Sequence, residues 1–301
     1  AFFGVGFAAA GLVPATTVVT RWFHVRRSVA LSVASTGLSV GGILITPFAK
    51  RLLDTQGLAA GTPWLGVVFV VGTVPFAWWM IRADPEVDGW APDGARLAEG
   101  EIAAPATGTR FDSAVRTRFF LAVTIGYVFA LGSQVGGIQQ LVKLVEDRTD
   151  QSTAQFAITV LAATSVVARL VGGRTVQLMP MMRFTVVLAG MQAVALVTLG
   201  VASTTWLIFA AIILFGCTIG NILMLQPLLI AERFGVRDYP RIFGRSQLVS
   251  VVGTALGPLL IGWLYDEAGS YRIPYAAAAT CSLLGMFIFA AAGPATVAAH
   301  E

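Results

Sequence analysis

Charge is what this sequence has least of. Asp, Glu, Lys and Arg make up 12% of its 301 residues, about half the share of an average soluble domain. Histidine occurs twice, at His24 and His300, and cysteine twice, at Cys217 and Cys281. Neither histidine lies within an apolar run, so no His-based metal site or catalytic pair is available there, and no metal is expected. Both cysteines do lie in apolar runs and read as core residues, not as a disulfide or a metal site. No HExxH, GxSxG or P-loop pattern occurs. These shortages exclude a disordered chain, a collagen and a nucleic-acid module. They also argue against a soluble enzyme, a membrane protease, an acyltransferase and an ATP-driven pump, and no cofactor is expected.

What is present is apolar length. Hydrophobic residues make up 56% of the chain, and the mean hydropathy is +0.78. Runs without a charge cover residues 1–20, 28–49, 55–81, 119–142, 151–168, 184–231, 246–265 and 273–299. A bilayer core of about 30 Å needs roughly 20 helical residues. The run 184–231 would be about 72 Å long as one helix, so it reads as two spans with Ser203, Thr204 and Thr205 at the turn. The expectation is an all-α membrane protein with nine transmembrane helices.

The net charge of +4 is a topological signal. Three Arg lie in 21–27, five in 82–118, two in 174–183 and four in 233–245. The alternate loops hold two basic residues in 50–51, two in 143–148, none in the Ser203 turn, and Arg272. The richer side is expected to be cytoplasmic. That puts the C-terminus inside and the N-terminus outside. Residues 82–116, rich in Pro, Gly, Ala and acid, read as a flexible cytoplasmic linker.

The chain also echoes itself. Pro14, Trp22-Phe23, Arg26 and Asp54-Thr55-Gln56-Gly57 recur as Pro227, Arg233-Phe234, Arg237 and Asp266-Glu267-Ala268-Gly269. Phe23 precedes Asp54 by 31 positions and Phe234 precedes Asp266 by 32. Repeated halves with a midplane site between them mark secondary transporters.

At this point the residues resemble the major facilitator superfamily. The loop Arg21-Trp22-Phe23-His24-Val25-Arg26-Arg27 is similar to the connection between spans four and five in its monocarboxylate-porter and oxalate/formate-antiporter branches. Phe243-Gly244-Arg245, Gly253, Gly257-Pro258, Gly262, Asp266 and Gly269-Ser270-Tyr271 resemble span eleven and its outer loop. Ala168-Arg169-Leu170-Val171-Gly172-Gly173-Arg174 resembles a span-eight motif, Gly-Arg-x-x-x-Gly. The resemblance implies twelve spans in a major-facilitator-type helical bundle. This chain would then hold spans 4–12, as a fragment lacking the first three. Residues 1–81 would be the remainder of the N-terminal half (spans 4–6), 82–116 the linker, and 117–301 the C-terminal six-helix half (spans 7–12). Two departures stand out. Ser165 occupies a position where Asp or Asn is common, and Gln177 one where Asp is expected.

Arg169 is the sharpest candidate. A permanent cation at the centre of a membrane helix costs about 2.5–3.5 kcal/mol on insertion scales and is rarely idle there. A guanidinium can hold a carboxylate through two parallel hydrogen bonds, and the resemblance implies an anion-binding Arg facing the central cavity. The alternative is that Arg169 snorkels to the interface beside Arg174. Asn221, Gln134, Gln139, Gln140 and Tyr127 are further substrate-binding candidates, with helix–helix bonding or packing as the alternative. Arg26, Arg27, Arg174, Glu232, Arg233 and Arg245 are gating candidates in the basic loops. No Lys lies within the eleventh span, which favours a singly charged substrate. No Asp or Glu lies mid-span, so coupling would use the missing spans, a proton carried on the substrate, or anion exchange.

The expected function is a secondary transporter of small organic anions, monocarboxylates first, working by alternating access. Protons are a candidate co-substrate, and the transporter is read as a monomer in the plasma (inner) membrane. The alternatives are a drug or amphiphile exporter of the same superfamily and a non-transporting membrane sensor on this fold.

Overall fold

The computed structural model describes residues 11–82, 85–94 and 107–294, together with Gly4 and Gly6. Long helices follow the charge-free runs. They are α1 (Leu12–Trp22), α2 (Arg27–Met80), α3 (Arg118–Arg148), α4 (Gln151–Leu178), α5 (Met181–Val201), α6 (Thr205–Phe234), α7 (Tyr239–Ala268) and α8 (Arg272–Ala291). Their ends are chemically marked. Thr117 caps α3 by accepting from Phe120 N at 3.2 Å. Asp150 caps α4 by accepting from Ser152 N at 2.9 Å and Thr153 N at 3.0 Å, satisfying donors that a helix start leaves open. The Ser152 and Thr153 hydroxyls bind the same carboxylate and hold its pKa well below the usual carboxylate range. Gly269, in the left-handed region at φ 62°, ends α7.

Among the described residues, seven helices are long and apolar enough to cross a membrane, against nine expected spans. The expected spans at 28–49 and 55–81 run together in α2, 54 residues long. As a straight rod α2 would reach about 80 Å, far beyond a bilayer core. It is broken at Gly57, whose φ of 74° and ψ of 168° are open only to glycine. A Cβ on Gly61 would lie 3.6 Å from the Leu53 Cα, although a straight helix separates residues eight apart by about 12 Å. Trp22 Nε1 donates to Arg82 O at 2.8 Å, so the end of α2 returns to its beginning. Part of the expected first span falls outside the described residues, and α1, 11 residues long, is its described helix.

The six helices α3–α8 form one bundle. α3 packs on α7 and α8, α5 on α6 and α8, and α4 on α6. At Gly253 and Gly257 a Cβ would overlap the Val128 and Gly132 carbonyls, so α3 and α7 meet almost backbone to backbone. The polarity is arranged for a lipid solvent. Gln192, Gln226, Ser246 and Ser250 are fully buried, while Trp206, Leu259, Trp263 and Phe287 are exposed. α2 docks on α4 and touches α6, and α1 reaches α7.

The described ends of segment 82–116 are hydrogen-bonded to neighbouring loops. One end holds Asp93, which accepts from His24 N at 3.1 Å and Val25 N at 3.0 Å. At the other end, Thr109 N donates to Phe234 O at 2.8 Å, Val236 N donates to Thr107 O at 3.1 Å, and Phe111 N donates to Asp238 at 2.8 Å. The linker thus satisfies backbone groups left open at the loops α1–α2 and α6–α7. These are the two loops that echo one another in sequence.

Candidate functional site

The site is built where α2, α4 and α6 meet. α4 carries Arg169, 2% exposed despite its charge. Its Nε donates to Gly220 O on α6 at 3.2 Å. Its Nη1 donates to the Ser35 carbonyl and, at 3.3 Å, to Ser39 Oγ, both on α2. The side chain therefore does not snorkel. It bridges three helices from within. Its described partners are all uncharged oxygens.

Two glycines let this happen. A Cβ on Gly220 would stand 3.0 Å from both Arg169 Cβ and Nε, and a Cβ on Gly172 would overlap Asn221 Oδ1. Asn221 lies one residue beyond Gly220 and ties α6 to α4. Its Nδ2 donates to Ala168 O at 3.0 Å and to Cys217 O at 2.9 Å. Both amide hydrogens are thereby used, and among the described residues the buried Oδ1 finds no donor. Ser165, one turn before Arg169, is also buried with an unpartnered Oγ. Two buried oxygens without donors thus lie on the helices that hold the guanidinium.

Sequence reasoning missed the α2 wall of this site. Ser28, Ser32, Ser35 and Ser39 recur at i, i+4, i+7 and i+11, one helix face. Ser28 Oγ donates to Gly173 O at 2.9 Å, and a Cβ on Gly173 would sit 2.5 Å from Ser32 Oγ. The stripe therefore lies along the Arg169–Gly173 segment of α4. The signal was readable as a polar period of 3.6 within a charge-free run.

The remaining candidates have other partners. Gln134 Nε2 donates to Gln192 Oε1 at 3.1 Å, and Gln192 Nε2 donates to Ser133 Oγ at 2.8 Å and Ser282 Oγ at 3.2 Å. That network joins α3, α5 and α8. Tyr127 is fully buried, donates to Ile222 O at 3.0 Å and stands edge-on to Phe289 at 5.1 Å. Gln139 is exposed and Gln140 half-buried. Among the loop residues, Arg27 donates to Phe23 O at 3.0 Å and Thr20 O at 3.2 Å, closing α1 at its C-terminus. Glu232 and Asp93 lie within its electrostatic reach. Arg233 stands over the Phe119 ring at 5.6 Å. Arg26, Arg174 and Arg245 are exposed. Among the described residues no group of three His, Cys, Asp or Glu side chains could hold a metal.

The sequence pattern of the Major Facilitator Superfamily matches residues 1–225 and again 144–301. The chain belongs to the major facilitator superfamily. Human monocarboxylate transporter 11 is 26% identical over 306 residues, 95% of this chain and 60% of that protein. The MFS-type transporter hasB of Aspergillus fumigatus is 26% identical over 176 residues, 56% of this chain and 37% of that protein. This major-facilitator chain thus spans well under two thirds of the length of either. Among solved structures, the E. coli fucose:proton symporter FucP superposes with a TM-score of 0.66 at 13% identity, over 93% of this chain and 72% of that one. The human organic anion transporter MFSD10 gives 0.68 at 16% identity, over 91% and 66%. The superfamily is one of membrane transporters, not enzymes, and the chain is an integral, multi-pass membrane protein.

Proposed function

We propose that this major-facilitator protein is a secondary transporter of small organic anions, monocarboxylates first, with Arg169 as the anion anchor. The observation that carries this is a buried guanidinium whose described partners are all neutral oxygens. An uncompensated buried cation is costly, and an arriving carboxylate would supply both the missing charge and a bidentate partner. Asn221 steadies the segment that presents Arg169. Residues 1–81 and 117–301 are the parts that rock, joined through 82–116. The excess of Arg in its loops supports a cytoplasmic Arg27 side. Monocarboxylate transporters and an organic anion transporter among the relatives point the same way.

The test is uptake by the full-length protein in proteoliposomes, with radiolabelled pyruvate and propionate as probes. Arg169→Ala should lower initial uptake at least tenfold with reconstituted amount unchanged, and Arg169→Lys should recover part of it. Unchanged uptake in Arg169→Ala would sink the anchor.

A further inference from the structure

The hydrogen bonds of Arg169 cross between the two parts of the molecule, and their position along α2 is informative. Contact between α2 and α4 is close from Ser28 to Ser39. Beyond Ser39 the two helices part. A Cβ on Gly41 or Gly42 would meet nothing within 4 Å, and Leu44, Ile45 and Phe48 are exposed. Among the described residues, Arg169 thus makes the last hydrogen bonds between α2 and α4 before the helices diverge toward Gly57. The tie uses Nη1, one of the groups a carboxylate would take.

We propose that Arg169 is the latch between the two parts as well as the anion anchor. A carboxylate arriving from the Gly57 side competes with the Ser35 carbonyl and the Ser39 hydroxyl for Nη1, and by winning it releases α2 from α4. Anion binding and separation of the parts on the Arg27 side are then one event at one side chain. No separate relay is needed, and no acid is needed in the span. This rests on the anchor reading above and adds to it a linkage that an anchor alone does not require. The anion can shift the equilibrium because it binds the released guanidinium better than the latched one.

Ser32 reports the state of the latch. It is 1% exposed against Gly173, two helical turns from Ser39. In the full-length protein with Cys217 and Cys281 replaced by Ser, Ser32→Cys is titrated with a membrane-impermeant maleimide applied from the Arg27 side. Labelling should be slow without anion and rise at least fivefold with millimolar pyruvate. Adding Arg169→Ala should make it fast and indifferent to pyruvate. Ser39→Ala keeps the cation and removes one competitor, so it guards against misfolding of the Arg169 variant. It should raise basal labelling and lower the half-saturating pyruvate concentration about threefold, the scale of one net hydrogen bond. A higher half-saturation in Ser39→Ala would make Ser39 a substrate ligand and overturn the competition. Basal labelling in Arg169→Ala equal to that of the parent would overturn the latch while leaving the anchor standing. Loss of pyruvate uptake decides the anchor separately, because labelling and flux are read on the same vesicles.

Discussion

At the residue scale the site depends on what is missing from two side chains. Gly172 and Gly220 have no Cβ, and Asn221 and Arg169 occupy the space. Gly172→Ala should therefore force α4 and α6 apart and cost about 1–3 kcal/mol, the usual range for overpacking. The clash is with one side chain, Asn221, so removing it should recover most of the loss. Asn221→Ala should be far less harmful on a Gly172→Ala background than alone, where it removes the Nδ2 bonds to the Ala168 and Cys217 carbonyls. Thermal midpoints of the four proteins in detergent measure this coupling. Additive losses would show that Asn221 is not what Gly172 makes room for. Arg169 was legible in sequence because a charge within an apolar run is rare. Ser35 and Ser39 were not singled out, because hydroxyls inside membrane helices usually bond their own i−4 carbonyl. Ser39 reaches Arg169 instead, which only the placement of α2 shows.

Elements were legible to the extent that the bilayer sets them. A run without charge is about as long as a span is thick, so α3 to α8 lie over the charge-free runs, although α4 continues to Leu178 and α7 starts at Tyr239. The hairpin in α2 was less so. Lys50, Arg51 and Asp54 read as a loop, yet the helix runs through them and turns at Gly57, where the backbone alone decides. The docked linker ends were invisible for another reason. Asp93 and Thr107 look the same in composition whether they bond water or a loop's backbone.

The α4 cap yields a pH prediction. Hydrogen bonds from Ser152 and Thr153 depress the Asp150 pKa in the folded protein. The sign follows from linkage. A depressed carboxylate contributes stability that is fully present above its unfolded pKa, about 3.9, and is lost as pH falls through the folded value. The deficit in thermal midpoint of Asp150→Ala should therefore be constant from pH 8 to about pH 5 and shrink only below about pH 4. A deficit that already fades at pH 6 would mean the cap is not held as described.

For the whole molecule, the distribution of contacts between the two parts defines a conformation. Ser28, Ser32, Ser35 and Ser39 face α4, and the same helix face continues to Gly42 and Thr46. Ser32 is buried and Thr46 is exposed, on one face of one helix, so the parts touch near the Arg27 loop and stand apart toward Gly57. A transporter working by alternating access should exchange these two ends. Thr46→Cys, in the same cysteine-replaced full-length protein, should react with impermeant maleimide from the side opposite Arg27, in the absence of anion, at least tenfold faster than Ser32→Cys reacts from the Arg27 side. When the parts separate at Ser32 they must close at Thr46, so pyruvate should slow the Thr46→Cys reaction as it speeds the other. Rates that rise together would describe loosening of the whole seam, not rocking about Arg169. Rates that move in opposition, with the same half-saturation in pyruvate, would place the pivot at Arg169.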